Sequence, residues 1–128
     1  MPISKIEVSK VRTSEQVTAL INAVYEAQIE ALKVPKEDKQ IRYVEHKPEH
    51  FPIPPGKSEN FTFVEIQIFP GRSLDAKRKL YASIAKRFAE LGIQPSDLVI
   101  ALHEPSLDNW GVGGKPASEI DIGFSLDI

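Results

Sequence analysis

The chain repeats itself, and that repeat limits its fold more than any single motif does. At an offset of about sixty residues, Ile6 meets Ile66, Val8 meets Ile68 and Arg12-Thr13 meets Arg72-Ser73. Leu20 then meets Leu80 and Pro35 meets Pro95; after a slip of a few residues, His46-Lys47-Pro48 meets His103-Glu104-Pro105. An ordered series of this kind is the mark of a duplicated unit. Each copy reads the same way. Residues 2–8 alternate like a strand, and "RTSEQ" carries Thr13 and Gln16 at capping-box spacing. Val17, Leu20, Ile21, Val24, Ala27, Ala31 and Leu32 then recur at helical steps until "KVPKEDK", where Pro35 stops the helix. A second strand follows near "KQIRYVEH", and "KPEHFPIPPGKSEN" reads as a loop.

The second copy has a strand in "NFTFVEIQIF", a turn in "PGRS" with Ser73 as N-cap, and a helix over residues 74–91. Leu80, Ile84, Phe88 and Leu91 are expected inward, with Gly92 just beyond the helix end, before the strand "LVIALHE". A strand, a long helix and a second strand make a parallel pair. The expected fold is therefore α+β: tandem β-α-β units (about 2–50 and 61–110) forming a four-stranded sheet with two helices on one face. The two units make one domain, closed by a C-terminal hairpin arm. The helix-free face, with Phe61, Phe63 or their neighbours, is expected to be apolar and so covered by self-association.

Bulk properties narrow the function. A net charge of −2 gives no reason to expect nucleic acid or an anionic membrane as partner. The absence of cysteine excludes disulfide, thiolate and Cys-zinc chemistry within the chain. Lys5 and Glu7 fall where a signal peptide would need an apolar run, and no run reaches membrane-span length. A cytoplasmic protein is expected. His46 clusters with Glu45 and His50 at the end of a strand, where histidines are ordinarily polar surface residues, so no metal is expected. "GVGG" at 111–114 lacks the P-loop lysine and the strand–helix setting of a nucleotide site, and reads as a tight hairpin. Arg12 and Arg72 each follow a strand and precede a helix. They are candidates to clamp a carboxylate, or alternatively surface residues paired with Glu15 and Asp75. Pro2 is either a strand leader or, once Met1 is removed, a free secondary amine. The second copy has Thr62 at the matching place, and only the first copy can supply a chain terminus.

These segments together resemble the tautomerase superfamily. "PISKIEV…RTSEQ" resembles its opening strand and turn, and "NWGVGGKPASEID" its closing hairpin. "ALKVPKEDKQIRYVEHKPEHF", "PGRSLDAKRKLYASIAKRFAELGI" and "DNWG" are similar to the duplicated branch that contains malonate semialdehyde decarboxylase. The resemblance covers nearly the whole chain. It implies a homotrimer, a small oxo-acid substrate, no cofactor, and catalysis by Pro2 with Arg72 and Asp38. Trp110 would line the pocket, and Arg12 is carried as a second substrate-binding candidate. Pro70 stands where the decarboxylase has the first arginine of "R-P-R", and Val112 where it has phenylalanine. Gln28-Ile29 stands where a dehalogenase branch has histidine. These departures favour keto–enol tautomerisation of a phenylpyruvate-like 2-oxo acid. A decarboxylase or hydratase of a 3-oxo acid such as malonate semialdehyde is the second reading, and a non-catalytic trimeric scaffold the third.

Overall fold

The computed structural model describes residues 1–126. Its elements are β1 (Ile3–Val8), α1 (Ser14–Leu32), β2 (Ile41–Glu45), β3 (Thr62–Gln67), α2 (Leu74–Glu90), β4 (Leu98–His103), β5 (Gly111–Val112) and β6 (Lys115–Pro116). The sheet order is β2-β1-β3-β4. β1 pairs parallel with β2, and β3 with β4, while β1 and β3 join antiparallel at the centre. This is the tandem β-α-β sheet that the repeat implies.

Local chemistry explains where the helices begin and end. Thr13 accepts from the Gln16 N–H, and the Gln16 side chain accepts in return from the Thr13 N–H, a complete capping box. Ser73 caps α2 by accepting from the Ala76 N–H at 3.1 Å. One inward assignment is corrected: Leu91 is 42% exposed. The helix ends at Glu90, and Gly92 turns through φ +92°. Gly92 donates to Ala89 O and Ile93 to Phe88 O, a Schellman closure that folds Ile93 under the helix in place of Leu91.

Alternation along the strands sends Ile6, Val8, Val64 and Ile66 to the helical face, where they pack with Leu20, Val24, Leu32, Leu80, Ile84 and Phe88. Gln28 is also inside this layer, 2% exposed, and its amide donates to the Ser4 hydroxyl. The same alternation sends Lys5, Glu7, Arg42, Glu65, Gln67 and His103 to the other face. The expected apolar face is therefore a correction, because Phe63, Val44, Val99 and Ala101 share it with charges. Lys5 Nζ lies 3.4 Å from Glu7 and 3.8 Å from Glu65. His46 pairs with Glu7 at 2.8 Å and His103 with Glu65 at 2.9 Å, so the two copies place equivalent His–Glu pairs there. Among the described residues, no helix is long and apolar enough to cross a membrane.

The linker between the copies is fastened by Asp97. This buried carboxylate accepts from the Ser58 N–H at 2.8 Å and from the Ser58 hydroxyl. Those side-chain and backbone bonds hold its carboxyl below the usual aspartate value, against the opposing effect of burial. A carboxyl depressed in the folded state adds stability above its unfolded pKa, and that stability is lost as pH falls through the folded value. Replacing Asp97 with Asn should therefore flatten the stability-versus-pH curve on the acid side of about pH 4. Urea unfolding of parent and variant from pH 6 to pH 3 checks this, and parallel curves would exclude Asp97 as an acid-sensitive fastening.

Candidate active site

The antiparallel β1–β3 junction decides which residues can meet. Ile3 lies opposite Gln67, and Gln67 lies beside His103, so the start of β1 and the exits of β3 and β4 share one end of the sheet. The parallel pairing of β1 with β2 adds the approach to β2, since Ser4 donates to Gln40 O at 2.9 Å. Pro2, Asp38, Arg72 and Trp110 all belong to that end. Arg12 does not. It follows Val8 at the far end of β1, about 20 Å away by strand length, and its guanidinium donates to the Tyr43 hydroxyl at 3.2 Å.

Pro2 is buried ahead of the first strand residue. The preceding Met1 ammonium donates to Asp38 Oδ2, while the Gln40 amide donates to Oδ1 at 2.7 Å. Burial pushes the Asp38 carboxyl up, but the bonds from the terminus and Gln40 outweigh it and hold it below the usual value. At this end of the sheet a carboxylate thus faces the chain's first nitrogen.

Arg72 is only 6% exposed, and its position comes from the turn after β3. Gly71 has φ +125°, a conformation that suits glycine, and a Cβ there would come within 3.0 Å of Leu126 O. The Arg72 Nη1 donates to Phe69 O at 3.0 Å, whereas Nε and Nη2 are buried and meet no hydrogen-bond partner among the described residues. Its guanidinium lies 5.6 Å from the Phe124 ring. Burial lowers its pKa, and the Glu104 carboxylate works against that. Glu104 is itself held by Lys77 at 2.6 Å. Asp75, the acid in the first turn of α2, pairs with Arg78. A buried guanidinium whose Nε and Nη2 edge is unpaired among the described residues presents a donor pair to a planar anion.

Trp110 is 8% exposed, donates from Nε1 to Pro105 O at 3.1 Å, and meets the Phe69 ring edge-on at 5.0 Å. The β5–β6 hairpin that follows turns through Gly113 and Gly114, both at positive φ, as the glycine run predicts. Met1, Ile3, Phe124 and Leu126 pack on the same Phe69–Trp110 cluster. The end of the sheet is therefore apolar around a cation, with a carboxylate at the chain start. Phe69, Phe124, Glu104 and Gln40 are absent from the sequence-derived set. The only signal for Phe69 is its place directly before "PGRS", and Phe124 carries none.

A family model described as "Tautomerase enzyme" matches residues 38–113. The probable tautomerase YusQ of Bacillus subtilis (strain 168) is 24% identical over 127 residues, covering 94% of this chain and 100% of that protein. The probable tautomerase K2 of Dickeya dadantii (strain 3937) is 34% identical over 59 residues, covering 44% of this chain and 88% of that protein. Among solved structures, malonate semialdehyde decarboxylase aligns with TM-score 0.78 at 26% identity, over 87% of this chain and 90% of that one. Native fused 4-OT aligns with TM-score 0.81 at 16% identity, over 91% and 96% of the two chains, a likeness of fold.

A half-unpaired buried charge costs stability until an anion meets it. Arg72→Met should be at least as stable as the parent in buffer alone. The parent should gain about 1.4 kcal/mol at pyruvate ten-fold above its dissociation constant, and the variant nothing. Thermal melts with and without pyruvate test this. A variant several degrees less stable in buffer would make Arg72 a structural anchor.

Proposed function

Because the chain belongs to the tautomerase enzyme family, we propose that it catalyses keto–enol tautomerisation of a small 2-oxo acid of the phenylpyruvate type. The reagent is the secondary amine of Pro2, released when Met1 is removed. The observation that carries this reading is the convergence of buried Pro2, Asp38 and the half-unpaired Arg72 at one end of the sheet.

In the ketonising direction the neutral amine accepts the enol O–H proton. The resulting ammonium returns a proton to the adjacent carbon as the carbonyl forms, so the substrate is isomerised with no net proton change. Arg72 holds the carboxylate or polarises the carbonyl through Nε and Nη2, and the wall of Trp110 and Phe69 takes the apolar part. An α-amino group begins near pKa 7.7–8.0, close to the value that suits a base at neutral pH.

Decarboxylation or hydration of a 3-oxo acid is the second reading. It is favoured by the similarity to malonate semialdehyde decarboxylase, a protein described with decarboxylase and hydratase activities. The single arginine of the "PGRS" turn weighs against it.

Intact mass of the purified protein should show Met1 absent. Pro2→Ala should slow phenylenolpyruvate ketonisation by at least about 10²-fold, the lower range for general acid–base catalysis. An unchanged rate sinks the mechanism, and carbon dioxide release from malonate semialdehyde would select the second reading.

The assembly we propose is a homotrimer, the state described for related fused 4-OT chains. Arg12 then serves a Pro2 site only across a subunit boundary, because one chain holds them at opposite ends of the sheet. Sedimentation at micromolar concentration should give about three times the 14.3 kDa chain mass, and a monomer would refute the trimer.

A further inference from the structure

We propose that Gln40 is a positioning residue, which orients Asp38 toward the Pro2 amine and thereby sets the pH at which that amine becomes a free base. The inference rests on the tautomerase reading of Pro2.

Asp38 lies in the turn between α1 and β2, and that turn is pinned on several sides. The Asp38 N–H donates to Pro35 O at 3.1 Å, and the Tyr25 hydroxyl donates to Lys36 O. Lys39 points the other way, to Asn22 Oδ1 at 2.7 Å and over the Tyr25 ring at 4.8 Å. The Gln40 main chain is anchored by the Ser4 N–H at 2.9 Å, beside the start of β1. From that fixed point the Gln40 side chain turns back and donates to Asp38 Oδ1 at 2.7 Å. A carboxylate with Oδ1 so held can rotate little, and Oδ2 accepts from the Met1 ammonium, whose place the Pro2 amine takes once Met1 is removed. Without the amide, Asp38 is a partly exposed turn residue with several rotamers open to it.

The second copy serves as an internal control. Asp97 comes two residues after Pro95 and Asp38 three after Pro35, each just ahead of its copy's second strand, but both oxygens of Asp97 are taken by Ser58. The residue two places after it is Val99, on the open face of the sheet. The copy without a terminus uses its acid as a fastening, with Val99 where the first copy has Gln40. The copy with the terminus occupies one oxygen with Gln40, and its other oxygen accepts from the terminal ammonium.

The remaining charges at this end are Arg72, Glu104 and Lys77 from the second copy, and Lys36, Glu37 and Lys39 from the turn. The Glu104 carboxylate acts on Arg72, whereas Lys36, Glu37 and Lys39 are exposed. Asp38 is the anion in direct line with the terminus, so its orientation governs the balance.

The test is a ¹⁵N-NMR titration of the Pro2 amine in Met1-processed, proline-labelled full-length protein. Asp38→Asn should lower the Pro2 pKa. Gln40→Met, of similar size without the donor, should lower it in the same direction by roughly half a unit. The acid limb of kcat/KM should move down in step while KM stays within two-fold, because Arg72 is untouched. A shift in Asp38→Asn with none in Gln40→Met overturns the role of Gln40 and leaves the tautomerase reading standing. No shift in either variant removes the pairing of Asp38 with Pro2 and, with it, that part of the proposed mechanism. Gln40→Leu supplies the same comparison if the methionine variant fails to fold.

Discussion

One antiparallel seam, β1 against β3, organises everything else in this chain. Each copy alone would carry its chemistry at the exit of its own first strand. Joined head to tail, the copies turn those exits away from each other, while the entrance of one meets the exit of the other. That is why the first nitrogen of the chain lies at the end of the sheet where Arg72 and Trp110 emerge, and why Arg12 does not. The register matters as much as the direction. With Ile6 opposite Val64, both copies face the helices together, and a slip of one residue would turn Lys5, Glu7 and Glu65 into the core.

Much of this was legible in the residues, and the boundary has physical causes. The helices were readable because their signals are local: Thr13 with Gln16, Ser73 alone, Pro35 as a stop. Leu91 was misplaced because its helical spacing is correct but its helix has already ended, with Ile93 brought under by the glycine turn. The open face was misread from Phe61 and Phe63, although the same alternation puts Lys5, Glu7 and Glu65 there. For the site, Pro2 and Arg72 were candidates from their places in the chain, Asp38 and Trp110 came from a family resemblance, and no spacing rule could have gathered the four. Their proximity depends on strand order and direction. Gln40 and Phe124 escaped notice because their roles arise from contacts, one across two residues of a turn and one from the far end of the chain.

The electrostatics of the sheet end set opposing demands. Arg72 is kept dry, which makes each unpaired N–H more valuable to an incoming carboxylate and also makes the cation dearer to bury. Asp38 supplies the opposite charge without touching Arg72, since its oxygens are committed to Gln40 and to the chain start. A single zwitterionic pair joining the two would have neutralised both.

The paired His–Glu contacts on the open sheet face have a consequence for company rather than for chemistry. A greasy face accepts almost any other greasy face. Here Lys5, Glu7, Glu65, His46 and His103 are already arranged in short-range pairs, so whatever comes to lie on them must match a pattern of sign as well as shape. A copy of the same chain carries that pattern by birth, whereas a distant cousin sharing only the fold would set like charges together or leave a carboxylate stranded. In a cell holding several proteins of this architecture, such a face would favour fidelity of assembly and discourage mixed oligomers.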